Sequence, residues 1–404
     1  MRVSRWPLLC VMLAVGAVEA GAAEETVKAD EYRISAAPHT HKNLSVFFIY
    51  GESKLKGGKF LTLQEAMKQK KVIVHETGNV GKLAVENLSA TEAVYIQAGD
   101  IVKGGKQDRT LSVDLIVPPK SGKLPVSSFC VEAGRWSARN RGAAPQAGSG
   151  GVNLFSAATP NENDAQREQA ARAQPAASAG AGGDALVVND VRRIQAEDFP
   201  GPNLDMTAGQ SFRESSNQLS SKQLKLAAKL KGDQSAVWDE VAKSQTKLSE
   251  KVGERVNAPE SQTSMQLALE NKELGANVDE YVKALSKSIE DKKGAVGFAF
   301  AINGKMNSAD VYASEVLFRK LWPKLLKSSA VEAVAELEKD KKHAAARAAD
   351  VVECVTSAAK AEATEKRVSE RVRMTTRKSK KYVRFDTIDE ENDDVEFHRN
   401  WLAY

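Results

Sequence analysis

The stretch of residues 140–190 most strongly limits what this chain can fold into. Ala, Gly, Ser, Gln and Pro dominate it, as in AAPQAGSGG and ARAQPAASAGAGGD, and large apolar side chains are few. Such a segment cannot bury enough apolar surface to offset the conformational entropy that is lost when it becomes ordered. We therefore expect a flexible insert over residues 140–210, with folded structure on either side of it.

Upstream of the insert, the sequence is typical of short β-strands. Runs rich in Val and Ile are bounded by Gly, Asn, Ser or Pro, as strands and turns are. The runs cover residues 45–50, 71–76, 82–87, 92–102, 110–119 and 125–132. Short strands at this even spacing predict an antiparallel sandwich or small barrel over residues 24–139.

Downstream of the insert, the apolar spacing becomes helical. Helices are predicted over residues 218–231, 235–252, 265–271 and 278–290, with Asn277 and Asp279 at expected cap positions. Residues 294–304 predict a strand that ends in an Asn303-Gly304 hairpin turn and is followed by a second strand. A further helix is expected from residue 314 to about 339, with a kink at Pro323.

A helix rich in Ala, Lys and Glu is expected over roughly residues 343–371, followed by three strands to the C-terminus. The predicted fold class is α+β. A β-rich N-terminal sandwich or small barrel precedes a mainly helical lobe with a small antiparallel sheet of its own. We place this helical lobe at residues 211–340 and the C-terminal helix and strands at residues 341–404.

The first residues predict export. Arg2 and Arg5 precede the uncharged apolar run of residues 6–18, and Ala20-Gly21-Ala22 gives the small-x-small pattern of a signal-peptide cleavage site. Glu19 interrupts the run before it reaches the about 20 apolar residues that a membrane-spanning helix needs. We expect cleavage after residue 22 or 23 and a secreted or periplasmic mature chain without a transmembrane segment.

Charge and cysteine content narrow the function classes. The 58 Lys and Arg residues are interspersed with 53 Asp and Glu residues, which is not the footprint of a nucleic-acid-binding protein. Two cysteines remain after processing, Cys130 and Cys354. An oxidising compartment permits a disulfide between them, but two separate buried thiols are the preferred interpretation, because spacing alone cannot bring their Cα atoms within about 7 Å.

The stretch QAGDIVKGGKQDRTL at residues 97–111 is the strongest candidate site. Gly104 and Gly105 would let backbone approach a ligand closely, and adjacent N–H groups can form an anion-binding nest. Lys106 and Arg109 would add charge-assisted hydrogen bonds to a phosphate or carboxylate. The alternative is a tight hairpin whose charged residues pair with their neighbours. The stretch lacks the Gly-Lys-Ser/Thr ending of a P-loop.

Other residue patterns are less suited to catalysis or metal binding. Cys130 shares a strand face with Glu132, whose negative charge would raise the thiol pKa, so a structural cysteine is favoured. His39, His41 and His75 with Glu76 could supply metal ligands. The first two histidines lie just after the processed terminus, where disorder is expected. The GxSxG, HExxH, CxxC and GxGxxG patterns are absent, so neither a metal nor a cofactor is predicted.

Several separated motifs resemble one family in the order in which they occur. They are VENLS at residues 85–89, IQAGDIVKGGKQDRTL, IVPPKSG, PVSSFCVEAGRW, QSAVWDEV at 234–241, and the stretch from GFAFAING to WPKLLKS at 297–328. The sequence is similar in these motifs to the ARG and rhodanese–phosphatase-superfamily-associated protein domain. The family name implies association with ADP-ribosylglycohydrolase-like and phosphatase-related domains, and it supplies no catalytic residues to carry over.

We expect an exported, non-enzymatic module that binds an anionic small molecule or an envelope protein. The candidate groove lies where the glycine loop meets the segment around residue 132. Its residues are Gly104, Gly105, Lys106, Gln107, Asp108, Arg109, Glu132, Arg135 and Trp136. One alternative is a hydrolase of a phosphorylated or ADP-ribose-like compound, with Asp100, Asp108 or Glu132 as general acid or base. The other is an envelope structural module.

Overall fold

The computed structural model describes residues 24–55, 60–79, 81–105, 107–133, 211–212, 214–338 and 340–404. The expected signal peptide and the expected insert lie outside the described residues.

The described strands are numbered here in chain order. They are β1 (Thr26–Ala29), β2 (Tyr32–Ser35), β3 (His39–His41), β4 (Leu44–Tyr50), β5 (Phe60–Thr62), β6 (Val72–Glu76), β7 (Lys82–Asn87), β8 (Ala93–Ile96), β9 (Asp100–Lys103), β10 (Arg109–Leu111), β11 (Leu115–Val117), β12 (Lys123–Cys130), β13 (Ser211–Phe212), β14 (Glu214–Leu219), β15 (Ala295–Ile302), β16 (Lys305–Tyr312), β17 (Ala363–Arg367), β18 (Val372–Lys378), β19 (Tyr382–Asp389) and β20 (Val395–Ala403).

The described helices mostly begin at a side chain that accepts a backbone N–H bond, as Asp233, Asn271 and Ser314 do. They are α1 (Leu63–Lys68), α2 (Lys222–Leu226), α3 (Gln234–Val252), α4 (Met265–Leu269), α5 (Lys272–Leu285), α6 (Glu315–Ala335) and α7 (Ala348–Thr356). A π-helical turn, Ala227–Lys231, follows α2, and a 3-10 turn, Ser286–Ile289, follows α5. None of the helices in the described residues is long and apolar enough to span a membrane.

The N-terminal part contains a nearly closed, barrel-like sheet. Its strand order is β13-β6-β7-β12-β10-β9-β14. The two end strands, β13 and β14, follow each other along the chain and pair with β6 and β9, so the sheet curls back on itself. Apolar side chains from alternate positions fill the interior, among them Val74, Leu83 and Phe212. The predicted β-rich N-terminal part is therefore confirmed.

A larger antiparallel sheet joins the two halves of the chain. Its order is β1-β2-β4-β15-β16-β20-β19-β18-β17, and β3 also pairs with β4. The small sheet that was expected within the helical lobe is instead part of this large sheet. Both β4 and β15 are buried along their whole length, so each needs strand partners and cover on both faces. Local sequence pattern does not reveal which distant strand supplies that pairing.

Helices cover the two faces of the large sheet. On one face, α6 packs with α3 and α5 over an aromatic group that includes Phe48, Phe298 and Trp322. On the other face, α7 buries Val351 and Cys354 against Phe47 and Trp401. The three-stranded sheet β11-β8-β5 contributes Tyr95 and Ile116 to the first of these cores, beside the barrel.

Some of the predicted helices are wrong in extent. The helix expected over residues 343–371 is the short α7 followed by β17, which pairs with β18. Ala358 adopts a left-handed conformation with φ of 60°, which ends the helical path. Strand pairing therefore overrides the helix propensity of the Ala-, Glu- and Lys-rich sequence. The cap of α5 is Asn271 rather than Asn277 or Asp279. Residues 218 and 219, where the helix over 218–231 was expected to begin, belong to β14, and the helix begins at Lys222.

Gly297 provides a test of the β15–β16 contact. A Cβ atom at this position would lie 2.2 Å from the Asp310 carbonyl oxygen and 2.8 Å from the Val311 Cα atom. Because these are backbone atoms of the paired strand, they cannot move away without disturbing the strand pairing. We expect Gly297→Ala to lower the free energy of unfolding by about 2 kcal/mol or more, measured by urea denaturation.

The matched control for this prediction is Gly275→Ala. Gly275 lies within α5, and a Cβ atom added there would have no neighbouring atom within 4 Å. Alanine favours a helix interior over glycine by up to about 1 kcal/mol, so this variant should be as stable as the original protein or more stable. Equal urea midpoints for the two variants would contradict the proposed close strand contact.

Candidate functional site

The predicted glycine loop lies at one end of the barrel, which we call the barrel mouth. Glu76 ends β6 there, Lys103 ends β9, Arg109 begins β10 and Cys130 ends β12. Arg109 is paired with Val102 and Cys130 in the strand register. Residues 134–210 connect the strand end at Cys130 to β13, whose Ser211 pairs with His75 beside Glu76. Both ends of this connection therefore lie at the mouth.

Arg109 occupies the centre of the mouth and is 1% exposed. Its Nη1 atom donates to Gln107 Oε1 at 3.0 Å and contacts the Cys130 sulfur. Its Nη2 atom lies 3.8 Å from a Glu76 carboxylate oxygen. Its Nε atom is buried and has no hydrogen-bond partner among the described residues. A guanidinium has five N–H donors and no acceptor, so any further group that bonds to Arg109 must be a hydrogen-bond acceptor.

Hydrogen bonds of Asp108 and Glu132 help to connect the barrel mouth to α4. The Asp108 backbone N–H donates to Glu132 Oε2 at 3.2 Å, and the Ser264 hydroxyl donates to Asp108 Oδ2 at 3.1 Å. Ser264 also caps α4 by accepting from the Leu267 N–H. The Met265 N–H donates to the Val131 carbonyl at 3.0 Å. These bonds join strand ends of the barrel to a helix that follows the insert in sequence.

The two glycines serve the packing of the mouth. Gly104 has a positive φ of 101°, which favours glycine. A Cβ atom at Gly105 would lie 2.4 Å from Glu76 Oε1 and 2.6 Å from the Phe212 ring. Only a residue without a side chain lets both groups approach the loop this closely.

Six of the nine predicted residues are thus brought together at the mouth. Gly105, Gln107, Asp108, Arg109 and Glu132 are buried, and Gly104 is half-buried. The other three, Lys106, Arg135 and Trp136, lie outside the described residues. Sequence reasoning did not place Phe212 or Ser264 at the mouth, because both follow the insert and carry no local signal of their neighbours.

Cys130 is a poor nucleophile in this setting. Burial raises the pKa of its thiol to about 11, and although Arg109 acts to lower that pKa, Glu76 and Glu132 raise it further. The thiol donates to Gln107 Oε1 at 3.0 Å. Both Cys130 and Cys354 are buried free thiols, so the interpretation of two unbonded cysteines is confirmed.

A second buried polar site, which we call the histidine cluster, consists of Asp114, Asp310 and His398. Asp114 Oδ2 lies 2.9 Å from His398 Nδ1, and Asp310 Oδ1 lies 3.0 Å from His398 Nε2. All three residues are 2% exposed. The Tyr312 ring stacks on the imidazole, with 4.5 Å between centroids and 6° between planes. Tyr312 and His398 are opposite each other in the β16–β20 register.

Each carboxylate in the cluster has additional donors. Asp114 accepts from the Thr387 hydroxyl at 2.6 Å and from the Ala98 N–H at 2.7 Å. Asp310 accepts from the Asn400 side chain at 3.0 Å. Burial raises the pKa of Asp114, but His398 and its hydrogen bonds more than offset this, and the net pKa is well below the usual range.

The polar network continues from the histidine cluster to α6. Gln97 donates to the Tyr312 hydroxyl at 2.7 Å, and its backbone N–H donates to Asp100 at 2.9 Å. Asp100 forms an ion pair with Lys324 at 2.6 Å, with side chains 2% and 4% exposed. Asp100 was one of the three carboxylates considered for acid or base catalysis. Here it neutralises a buried lysine.

Sequence reasoning missed this network. The only local signal is a polar residue within an otherwise apolar strand run, as Asp114 is in TLSVDLIVPP and His398 is in VEFHRNWLAY. Asp114 and His398 are 284 positions apart, so nothing in either run identifies the other.

The histidines considered as metal ligands lie on two different sheets. His39 and His41 lie on β3 and pack against Phe48 and Tyr281, whereas His75 lies on β6 and pairs with Glu86 at 3.0 Å. Within the described parts of the chain, no group of three or more His, Cys, Asp or Glu side chains is arranged to hold a metal ion.

One family model matches this chain. It is described as the ARG and Rhodanese-Phosphatase-superfamily-associated Protein domain, and it matches residues 32–181 and 194–400. The matched ranges contain the barrel strands and nearly all of the large sheet. No curated protein and no solved structure shows a significant match to the chain.

Both described cysteines should be inert in the folded protein. They are fully buried, and burial raises the pKa of each thiol. We expect iodoacetamide at pH 8 to leave the Cys130 and Cys354 peptides unmodified in native protein, and to modify both in urea without reductant, as read by peptide mass spectrometry. If the two peptides stay unmodified in urea until a reductant is added, the cysteines form a disulfide, and the free-thiol assignment is contradicted.

Removing one partner of the buried Asp100–Lys324 pair should cost more stability than removing one partner of a surface pair. Lys324→Met leaves Asp100 buried without its counter-charge, and we expect a loss of about 3–5 kcal/mol in the free energy of unfolding. The control is Lys320→Met, one turn earlier on α6, which removes a partly exposed pair with Glu65 at 3.3 Å. That change should cost less than about 1 kcal/mol. If urea denaturation shows the same loss of unfolding free energy for Lys324→Met and Lys320→Met, the expected difference between the buried and the surface pair is refuted.

Proposed function

We propose that this chain, which belongs to the ARG and Rhodanese-Phosphatase-superfamily-associated Protein domain family, is an exported, non-enzymatic module that binds an anionic group of a ligand or partner at the barrel mouth. Export rests on the basic start, apolar run and cleavage pattern of residues 1–23. Barrel mouths are common ligand sites, because strand ends and loops converge there around a rigid scaffold.

The observation that carries this proposal is the buried guanidinium of Arg109. Burying a charged group is costly unless its hydrogen-bonding capacity is used. In the described residues, Nη1 has two partners, Nη2 has a distant carboxylate, and Nε has none. A phosphate or carboxylate oxygen is the strongest acceptor for such a donor, and it would complete the coordination of the side chain.

The formal charges of the predicted site residues, taken together with Glu76, limit the kind of anion. Among the described residues at the mouth, Lys103 and Arg109 carry two formal positive charges, and Glu76, Asp108 and Glu132 carry three negative charges. Lys106 and Arg135 are the other two basic residues of the predicted site. Charges of opposite sign that nearly balance do not attract polyanions through their field. Such a site favours recognition of a single anionic group by the direction of its hydrogen bonds.

The contacts of the candidate catalytic groups weigh against the hydrolase alternative. Asp108 and Glu132 accept hydrogen bonds from Ser264 and from backbone, and Asp100 is paired with Lys324. Both ring nitrogens of His398 face carboxylates, so neither is available as a general base toward a substrate. The Cys130 thiol has a raised pKa.

The test is ligand retention at the mouth. The purified mature chain is titrated with inorganic phosphate and with ADP-ribose, and the complexes are measured by native mass spectrometry. We expect a bound phosphate-bearing compound whose affinity falls at least about tenfold in Arg109→Lys, because lysine keeps the charge but cannot donate in the same fork. Thermal unfolding checks that the variant is folded.

The matched control is Lys120→Gln, which removes one positive charge from an exposed position before β12 and should leave affinity unchanged. If Arg109→Lys binds the phosphate-bearing compound as tightly as the original protein does, the assignment of the binding site to the mouth is contradicted. An absence of any retained anion would refute the anion proposal. Turnover of ADP-ribose by the original protein would refute the non-enzymatic assignment and favour the hydrolase.

A further inference from the structure

We propose that His398 is a pH-operated latch between the barrel and the large sheet: in its protonated form it holds Asp114 against Asp310, and its deprotonation loosens this junction. The inference concerns the histidine cluster and does not depend on a ligand at the barrel mouth.

With Asp114 and Asp310 both ionised, the geometry of the cluster calls for a protonated imidazole. Both ring nitrogens lie within 3.0 Å of a carboxylate oxygen, at Asp114 and at Asp310. A neutral imidazole carries one N–H and one lone pair, so it can donate to only one of them. Its second nitrogen would then place a lone pair against an ionised oxygen. Only the imidazolium donates to both carboxylates.

The latch spans two layers of the fold. His398 and Asp310 both belong to the large sheet, on β20 and β16. Asp114 lies between β10 of the barrel and β11 of the three-stranded sheet. Its bonds to His398 and to Thr387 of β19 therefore cross from the barrel segment to the large sheet. Loss of the proton weakens this cross-layer contact in particular.

The other charged groups around the cluster come from neighbouring helices and strands. Lys225 and Lys229 approach from α2 and its π-helical turn, Asp100 from β9 and Asp386 from β19. Lys229 lies over the Phe385 ring with its Nζ atom 4.0 Å from the centroid. Burial lowers the pKa of Lys229, although Asp114, Asp310 and Asp386 act to raise it.

The phenols that face the imidazole do not compete for its proton. Tyr95 and Tyr312 border the cluster, and burial raises the pKa of both far above the physiological range, so they remain neutral. The charges that face His398 most directly are therefore the two carboxylates that it touches.

The sign of the pH dependence follows from these contacts. Burial lowers the pKa of His398, but Asp114 and Asp310 outweigh burial, and its pKa in the folded protein is raised above the usual value of about 6.5. The stability that the imidazolium contributes is fully present below pH about 6.5 and is lost as the pH rises through the folded-state pKa. The junction is thus tight in mild acid and loosens toward alkaline pH.

The same strands connect the latch to the barrel mouth. β9 runs from Asp100 beside the cluster to Lys103 at the mouth. β10 begins at Arg109 in the mouth and ends three residues before Asp114. Loosening of Asp114 therefore releases one end of the strand that positions Arg109.

The experiment measures protonation and local opening in the original protein from pH 5 to 9. Histidine ring resonances are followed by NMR, and opening is followed by hydrogen exchange of the Ala98 amide, which donates to Asp114. We expect the His398 midpoint to lie above the usual value of about 6.5, because Asp114 and Asp310 favour the imidazolium. Above pH about 6.5, the opening equilibrium at Ala98, corrected for intrinsic exchange, should rise up to about tenfold per pH unit until that midpoint.

Two variants and a reference region make the result specific. Asp310→Asn removes one carboxylate, so it should lower the His398 midpoint and flatten the exchange profile at Ala98. His75→Gln removes a partly buried histidine that pairs with Glu86 on β7, and it should change neither. Amides of β15 paired with β4 serve as the reference for opening elsewhere in the molecule.

A His398 midpoint at or below 6.5 in the original protein would overturn the latch. An Ala98 opening equilibrium that tracks the β15 amides over the whole pH range would also overturn it. Both readouts use the unmodified chain, so the proposal stays testable if Asp310→Asn fails to fold. Ligand binding enters neither readout, so a negative result at the barrel mouth leaves this test intact.

Discussion

The pairing of β4 with β15 is the contact on which the rest of the structure depends. Leu44–Tyr50 and Ala295–Ile302 are buried along their whole length and lie side by side in the large sheet. Phe47 and Phe48 point to opposite faces, so each face of the sheet carries its own apolar core. Full burial of each such side chain stabilises the fold by about 1.5–3 kcal/mol. This pairing places the N-terminal strands and the strands after the insert in one sheet.

Once the halves are joined, charged groups are enclosed where the barrel meets the sheet and the helices. Buried ions are costly, by several kcal/mol each, unless partners and hydrogen bonds compensate them. The histidine cluster and the Asp100–Lys324 pair meet that requirement with contacts of 2.6–3.0 Å. Buried charges also gather at the barrel mouth. It differs in that Arg109 retains an N–H without a partner among the described residues.

The sequence predicted those elements whose cause is local. The run SVFFIY, the Asn303-Gly304 hairpin and the helix from residue 235 to 252 correspond to β4, the β15–β16 turn and α3. The Ala-, Lys- and Glu-rich stretch after residue 343 was misjudged, because pairing of β17 with β18 outweighs helix propensity. At the candidate site, the glycine loop and Glu132 were placed together correctly. Ser264, which bonds Asp108 across 156 positions, was not.

The sequence by itself determined the β-rich N-terminal part, the family, and the local chemistry of the glycine loop, because strand runs, turn residues and motif order are all readable over short distances. Only the tertiary structure decided that Cys130 and Arg109 share a buried site with Glu76, and that His398 lies between Asp114 and Asp310. The physical reason is that hydrogen bonds and burial act between atoms close in space. The identity of a neighbour 284 positions away is set by which strands pair, and short-range pattern does not contain that information.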